Sequence, residues 1–268
     1  MPAPRDPAIA TLLAFAHELA DAAGKAILPH FRRRLAVDNK ASDGGYDPVT
    51  AADRGAERAV RKLVRARYPQ HGFEGEEYGS EALEQPWRWV VDPIDGTRAF
   101  VLGLPVWGTL IGLTREGEPM LGMMDQPFTR ERFFATARGA FMRETDGRNR
   151  RIRTRAAPHL ADAMMTTTHP DLFAAGVERD GFERVKAKVR ACRYGGDCYT
   201  YCLLASGHID LIVEAGLKPY DITALVPIVE RAGGVITTWD GAPASRGGRI
   251  IAAGDARLHA EAMRVLTR

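Results

Sequence analysis

No apolar run in this chain approaches the roughly 20 residues that a membrane-spanning helix needs, so no bilayer segment is expected. Cysteine is scarce. Three residues in 268, Cys192, Cys198 and Cys202, cannot all pair and show no Cys-x-x-Cys spacing, which argues against a disulfide framework and for a reducing, cytoplasmic compartment. The seven histidines are scattered, with no paired metal-binding spacing. Neither Gly-x-Ser-x-Gly nor Gly-x-x-x-x-Gly-Lys occurs, which leaves no signature of a serine hydrolase or a P-loop NTPase. The start of the chain carries Asp6, His17, Glu18 and Asp21 among its apolar residues, so it reads as an amphipathic helix and not as a signal peptide. A net charge of +3 is too balanced to argue for a nucleic-acid partner. One local excess, Arg148, Arg150, Arg151, Arg153 and Arg155, reads as a solvated connector.

What remains is a globular chain with clear periodicities. Residues 8–34 show helical spacing through Ile9, Leu12, Leu13, Phe15, Ala16 and Leu19. A polar loop over 38–48 is expected to be mobile. A second helix spans 50–68, with Thr50 and Asp53 forming a capping box and Pro69 stopping it. Period-two patterning over 106–114, 120–126 and 132–136 predicts an antiparallel meander. The polar stretch 144–155 is the best boundary, dividing the chain into halves 1–145 and 146–268 that form one catalytic unit. Beyond it strands and helices alternate, which predicts helices covering a mixed sheet. A single helix is expected from Asp221 to Ala232, with Pro227 inside it as a kink.

The most informative segment is Trp89-Val90-Val91-Asp92-Pro93-Ile94-Asp95-Gly96-Thr97. A strand-like run ends on a carboxylate, a proline turns the chain, and a second carboxylate follows before a short helix over 98–102. Two such carboxylates can hold a hard divalent cation, and a helix start beside them offers N–H groups to an anion. Gly75-Glu76-Glu77 and Lys218-Pro219-Tyr220-Asp221 supply further carboxylates. Alone, the glutamate pair suits a solvated surface and Asp221 an N-cap.

Taken together, Asp53, Gly75-Glu76-Glu77, Asp92-Pro93-Ile94-Asp95-Gly96-Thr97 and Tyr220-Asp221 resemble the inositol monophosphatase superfamily of Mg²⁺-dependent phosphomonoesterases. Ala232-Gly233-Gly234 matches as well, whereas Tyr220 stands where the family usually has Trp. The resemblance implies an α+β fold layered as an αβαβα sandwich and a homodimer. It implies that Glu76, Asp92 and the carbonyl of Ile94 hold one Mg²⁺, and that Asp92, Asp95 and Asp221 hold a second. Glu77 and Asp53 would be outer groups or ligands to a third ion. Thr97, with Glu76 or Asp53, would orient the attacking water, and the Gly96 and Thr97 amides would hold the phosphate. Such a metal set stabilises the entering and leaving oxygens of an in-line displacement without a side-chain nucleophile.

Further strings are similar to the histidinol-phosphatase branch: Gly96-Thr97-Arg98-Ala99-Phe100, 103–110, Met124-Asp125-Gln126-Pro127-Phe128-Thr129, Tyr194-Gly195-Gly196-Asp197-Cys198-Tyr199 and Leu217-Lys218-Pro219-Tyr220-Asp221. The substrate expected from them is L-histidinol phosphate, a small ester whose ammonium and imidazole call for carboxylate acceptors. Asp197 and Glu214 occupy the leaving-group positions, together with Asp221, although Asp197 also suits the N-cap of its helix. An inositol-1-phosphatase or a broad sugar-phosphate phosphatase shares every metal ligand and is the alternative. A non-catalytic regulator using the arginine stretch would predict a degraded ligand set. Lys40 could approach the phosphate or simply be solvated, and Trp107 reads as core.

Overall fold

Leu12, Phe15, Leu19 and Ile27, one face of a helix, are fully buried in α1 (Ile9–Ile27). The helix expected to run to 34 ends earlier because Pro29 has no N–H to return to it, and residues 28–33 are turns. A computed structural model describes residues 8–34, 36–40 and 48–267. Asp6 and most of the loop expected to be mobile, 41–47, lie outside the described residues. Strands β1 (Val37–Asn39) and β2 (Pro48–Thr50) pair as a short antiparallel ribbon. The capping box then opens α2 (Ala51–Arg67): Thr50 Oγ1 accepts the Ala52 N–H, and the Asp53 carboxylate accepts the Thr50 N–H at 2.8 Å.

The next strands are β3 (Gly72–Gly75), β4 (Gly79–Glu81) and β5 (Trp87–Asp95). After α3 (Thr97–Leu102) come β6 (Gly108–Arg115), β7 (Glu118–Gln126), β8 (Glu131–Thr136), β9 (Gly139–Arg143) and β10 (Asn149–Ile152). They form one eight-stranded sheet in the order β10-β9-β8-β7-β6-β5-β3-β4, in which only β3 and β5 run parallel. The meander predicted over 106–136 is its centre. The polar stretch 144–155 carries β10, whose charge is largely paired: Arg148 with Asp146, and Arg150 with Glu144. A division of the chain into halves, which we propose on sheet membership, therefore falls after Ile152.

The second half supplies β11 (Met164–Thr167), α4 (Val177–Lys186), β12 (Ala191–Tyr194), α5 (Asp197–Ala205) and β13 (Leu211–Leu217). It continues with α6 (Pro219–Ile222), α7 (Leu225–Ala232), β14 (Val235–Thr238), β15 (Gly248–Ala253) and α8 (Ala256–Leu266). The sheet order β12-β11-β13-β15-β14 is parallel on one side and antiparallel on the other. Three apolar clusters hold five structural layers together. Helices α1 and α2 cover the outer face of the large sheet. Helices α5 and α7 lie between the sheets, where Leu110 and Phe133 meet Ile212 and Ile250. Phe182 of α4 and Leu258 of α8 pack on the far face of the small sheet. This is the layered αβαβα sandwich.

One expectation is corrected. The helix predicted from Asp221 to Ala232 breaks at Thr223 and Ala224, so Asp221 lies inside α6 and not at an N-cap. Pro227 then sits in the first turn of α7, where an N–H has no intrahelical acceptor to lose. The break rests on a cross-strand glycine pair, Gly112 of β6 and Gly122 of β7. A Cβ at 122 would lie 1.9 Å from the Ala224 carbonyl oxygen, and one at 112 would lie 2.9 Å from the Thr223 methyl.

Between α1 and the sheet, buried Arg132 donates to Asp125 and Asp21, each at 2.7 Å. His17 packs edge-on against Phe134, its ring centroid 4.9 Å away. Burial, then Arg132 and Arg143, hold the His17 pKa down to about 4, with Asp21 opposing them.

Two predictions follow from this packing. Gly122→Ala should cost about 1–3 kcal/mol of stability by overpacking, which for a chain of this size lowers Tm by roughly 2–5 °C. An unchanged Tm in a thermal melt would show that the Thr223–Ala224 break is not seated as described. For His17, the unfolded ring titrates near 6.5 and the folded ring near 4. Between those values the unfolded state binds the extra proton, so stability is full above pH 6.5 and falls as pH drops toward 4. His17→Gln should flatten that part of a urea-midpoint profile; a profile parallel to wild type counts against it.

Candidate active site

Asp92 and Asp95 are three residues apart, a spacing that in a regular strand puts side chains on opposite faces. Here β5 does not turn at Pro93 as the sequence suggested; it continues through it. Asp92 faces Leu110 and Asp95 faces Gly108, so three steps on β5 match two on β6. This bulge returns Asp95 to the face of Asp92. Pro93 gives up no N–H, and its carbonyl accepts the Thr109 hydroxyl at 2.8 Å. Asp221 is brought in from α6, and oxygens of Asp92, Asp95 and Asp221 all lie within 4.8 Å of one another.

Each carboxylate is fixed by a backbone donor. Asp92 accepts the Ile94 N–H at 3.0 Å, Asp95 the Cys198 N–H at 2.6 Å, and Asp221 the Lys218 N–H at 2.7 Å. Thr97 Oγ1 donates to the Ile94 carbonyl at 3.0 Å and lies 3.4 Å from Asp53, itself fully buried at the start of α2. Glu76 and Glu77 both accept from Lys40 Nζ, at 2.7 and 3.0 Å. Lys40 is partly exposed, and its ammonium stands against the glutamate pair.

A cleft of about 310 Å³ collects these groups. Glu76, Asp92, Ile94, Asp95, Gly96, Thr97, Asp197, Glu214 and Asp221 all line it. Of the residues singled out from the sequence, Asp53, Glu77 and Lys40 do not line it; Asp53 is reached through Thr97, and Glu77 through Lys40 beside Glu76. Tyr220 and Arg98 line the cleft as well.

Asp197 is the first residue of α5, after the N-cap Gly196, so the N-cap role is corrected. Its φ of +41° places a non-glycine residue in the left-handed region. That conformation brings its carboxylate against Gly96, where a Cβ would sit 3.1 Å from Asp197 Cγ. Glu214 is held on both oxygens: Oε1 accepts the Thr168 N–H and hydroxyl at 2.9 and 2.5 Å, and Oε2 accepts the Tyr201 hydroxyl at 2.9 Å. The sequence reading missed Thr168 and Tyr201. Tyr201 had a usable signal, since it stands one helical turn after Asp197 and shares its face. The backbone donors carried none.

The electrostatics are those of crowded acids. Burial, then Glu76, Asp95 and Asp221, push Asp92 well above the usual carboxylate range. Burial, then Asp197 and Asp221, do the same to Asp95. Burial and Glu214 raise Asp197 to about 7 against the pull of Arg98. Asp221 is raised to about 7, mainly by burial. Converging carboxylate oxygens with mutual repulsion are a donor set suited to a hard divalent cation such as Mg²⁺.

Comparison with known proteins agrees in kind. The sequence profile of the inositol monophosphatase family matches residues 8–267. The chain is 41% identical over 264 residues to the bifunctional phosphatase IMPL2, chloroplastic, of Arabidopsis thaliana, covering 94% of this chain and 74% of that protein. It is 35% identical over 224 residues to the histidinol-phosphatase of Chlorobaculum parvum, covering 83% of each. Among solved structures, an inositol monophosphatase from Zymomonas mobilis superposes with a TM-score of 0.86 at 41% identity, covering 97% of this chain and 99% of that one.

Asp95→Asn tests the crowding directly. It keeps the acceptor for Cys198 but removes one repelling charge. In EDTA the variant should melt higher than wild type. Added Mg²⁺ at a hundred times its Kd should stabilise wild type by about 2.7 kcal/mol and the variant by little. Equal Mg²⁺ shifts in the two proteins would remove Asp95 from the ligand set.

Proposed function

The chain belongs to the inositol monophosphatase family of phosphoric monoester hydrolases, and from that premise we propose that it hydrolyses L-histidinol phosphate to L-histidinol and inorganic phosphate. Glu76, Asp92, the Ile94 carbonyl, Asp95 and Asp221 would hold two Mg²⁺ ions; Glu77 and Asp53 would be outer groups or ligands to a third. Bound there, Mg²⁺ supplies Lewis acidity toward the phosphoryl oxygens and a lower pKa for water. The Thr97 hydroxyl, between Asp53 and the Ile94 carbonyl, orients the attacking water, and Asp53 or Glu76 takes its proton. The Gly96 and Thr97 amides at the start of α3 hold the phosphate. The Asp197 and Glu214 carboxylates accept from the ammonium and imidazole of the leaving alcohol.

The observation that carries the substrate is the pair Asp197 and Glu214, a half-buried and a buried acid in the same cleft as the metal-type cluster. A polyol such as inositol offers only neutral hydroxyls to them. Histidinol phosphate offers a cation, which offsets their mutual repulsion. The histidinol-phosphatase of Chlorobaculum parvum supports this reading. The alternative, an inositol-1-phosphatase, is favoured by the Zymomonas mobilis structure, an inositol monophosphatase. We further propose a homodimer, for which Leu102, ending α3, and Leu104, just after it, 74% and 51% exposed, offer apolar surface. The free thiols of Cys192, Cys198 and Cys202 support a reducing, cytoplasmic setting. Among the described residues no helix is long and apolar enough to cross a membrane.

Phosphate release with Mg²⁺ from L-histidinol phosphate should exceed that from myo-inositol 1-phosphate by about a hundredfold in kcat/KM, roughly 2.7 kcal/mol of discrimination. Asp197→Asn should lower the histidinol phosphate value by at least about tenfold and leave the inositol value nearly unchanged. Comparable rates on both esters with wild type would return the enzyme to the inositol or broad-specificity reading.

A further inference from the structure

Glu76 sits on a three-residue turn, 76–78, joining β3 to β4. Three backbone N–H groups in that turn need acceptors. The Glu76 N–H goes to the Val91 carbonyl at 3.3 Å, extending the β3–β5 ladder to the residue before Asp92. The other two go to one side chain. Glu57 of α2 accepts the Glu77 N–H on Oε2 at 2.7 Å and the Tyr78 N–H on Oε1 at 3.2 Å. Glu57 is fully buried.

Arg61, one helical turn further on, completes the arrangement. It donates to Glu57 Oε1 at 2.5 Å, to the Gly79 carbonyl at 2.8 Å and to Glu81 Oε1 at 2.6 Å. Its guanidinium lies over the Phe73 ring, 4.3 Å from the centroid. The pair therefore grips the turn and both limbs of the hairpin. Gly75 is explained by the same contact, because a Cβ there would fall 2.3 Å from Glu57 Oε1. The glycine before the two glutamates makes room for a carboxylate from another helix.

We infer that Glu57 and Arg61 are positioning residues for the metal-facing Glu76, fixing the turn that aims its carboxylate beside Asp92. The inference rests on the functional reading above. A buried ion pair is weak support for stability compared with apolar packing, so its retention under a turn that bears a candidate ligand points to placement. Outer contacts of this kind orient metal ligands, and their loss typically weakens metal affinity by about 10–100-fold.

The experiment is Mn²⁺ titration by calorimetry on wild type, Glu57→Gln and Arg61→Lys, each with a thermal melt. An amide at 57 must turn its NH₂ toward either the turn donors or the Arg61 guanidinium. Glu57→Gln should weaken Mn²⁺ binding about tenfold or more while KM for the phosphate ester stays within about twofold, and raised Mg²⁺ should restore kcat. Arg61→Lys should weaken Mn²⁺ binding by about threefold, and it decides the matter if Glu57→Gln does not fold. A lowered Tm with Mn²⁺ affinity unchanged within about twofold would assign the pair to stability alone and overturn the inference. Wild type that binds no Mn²⁺ would overturn the functional reading together with it, whereas an active, Mn²⁺-binding wild type matched by its variants overturns the inference alone.

Discussion

Repulsion among buried carboxylates is the constraint to which the rest of this structure answers. Asp92, Asp95 and Asp221 bring oxygens within 4.8 Å of one another, with Glu76 and Asp197 near enough to raise their pKa values further. At the effective dielectric of a protein interior, unit charges at such distances repel by on the order of a few kcal/mol per pair. A fold stable by about 5–15 kcal/mol can carry that only if each acid is held by groups that do not yield. A divalent cation reverses the sign of the problem, turning the least favourable spot in the protein into a binding site.

The holding is done by the scaffold, from four directions. The bulge in β5 puts Asp92 and Asp95 on one face, and Thr109 ties its carbonyl. The glycine pair under Thr223 and Ala224 lets α6 approach the sheet closely enough to deliver Asp221. The first turn of α5 gives the Cys198 N–H to Asp95 and carries Asp197. The β3–β4 turn, gripped from α2, presents Glu76. The site takes residues from both sides of the core between the sheets, so it depends on that packing.

The cleft divides by chemistry. Its metal-type end is made of acids held by backbone N–H groups, an arrangement indifferent to the alcohol being released. At its other end side chains join in the holding: the Thr168 N–H and hydroxyl and the Tyr201 hydroxyl on Glu214, and Arg98 acting on Asp197.

Local sequence was enough for whatever depends on near neighbours. The Thr50–Asp53 capping box, the buried stripe of α1 and the meander follow from spacing within a few residues, and the nine-residue string from Trp89 to Thr97 carried the metal chemistry. Spacing misled where distant packing intervened. Pro93 looked like a turn but lies in a bulged strand paired with β6, and Pro227 looked like a kink but opens a helix that a glycine pair had already broken. Glu57 carries no signal in the sequence, because nothing around it says that a hairpin turn some 20 residues later will place two N–H groups on it. By itself the sequence determined which residues could bind a cation, since that is a matter of oxygen type. Only the tertiary structure decided that they converge, because convergence is set by contacts between segments far apart in the chain.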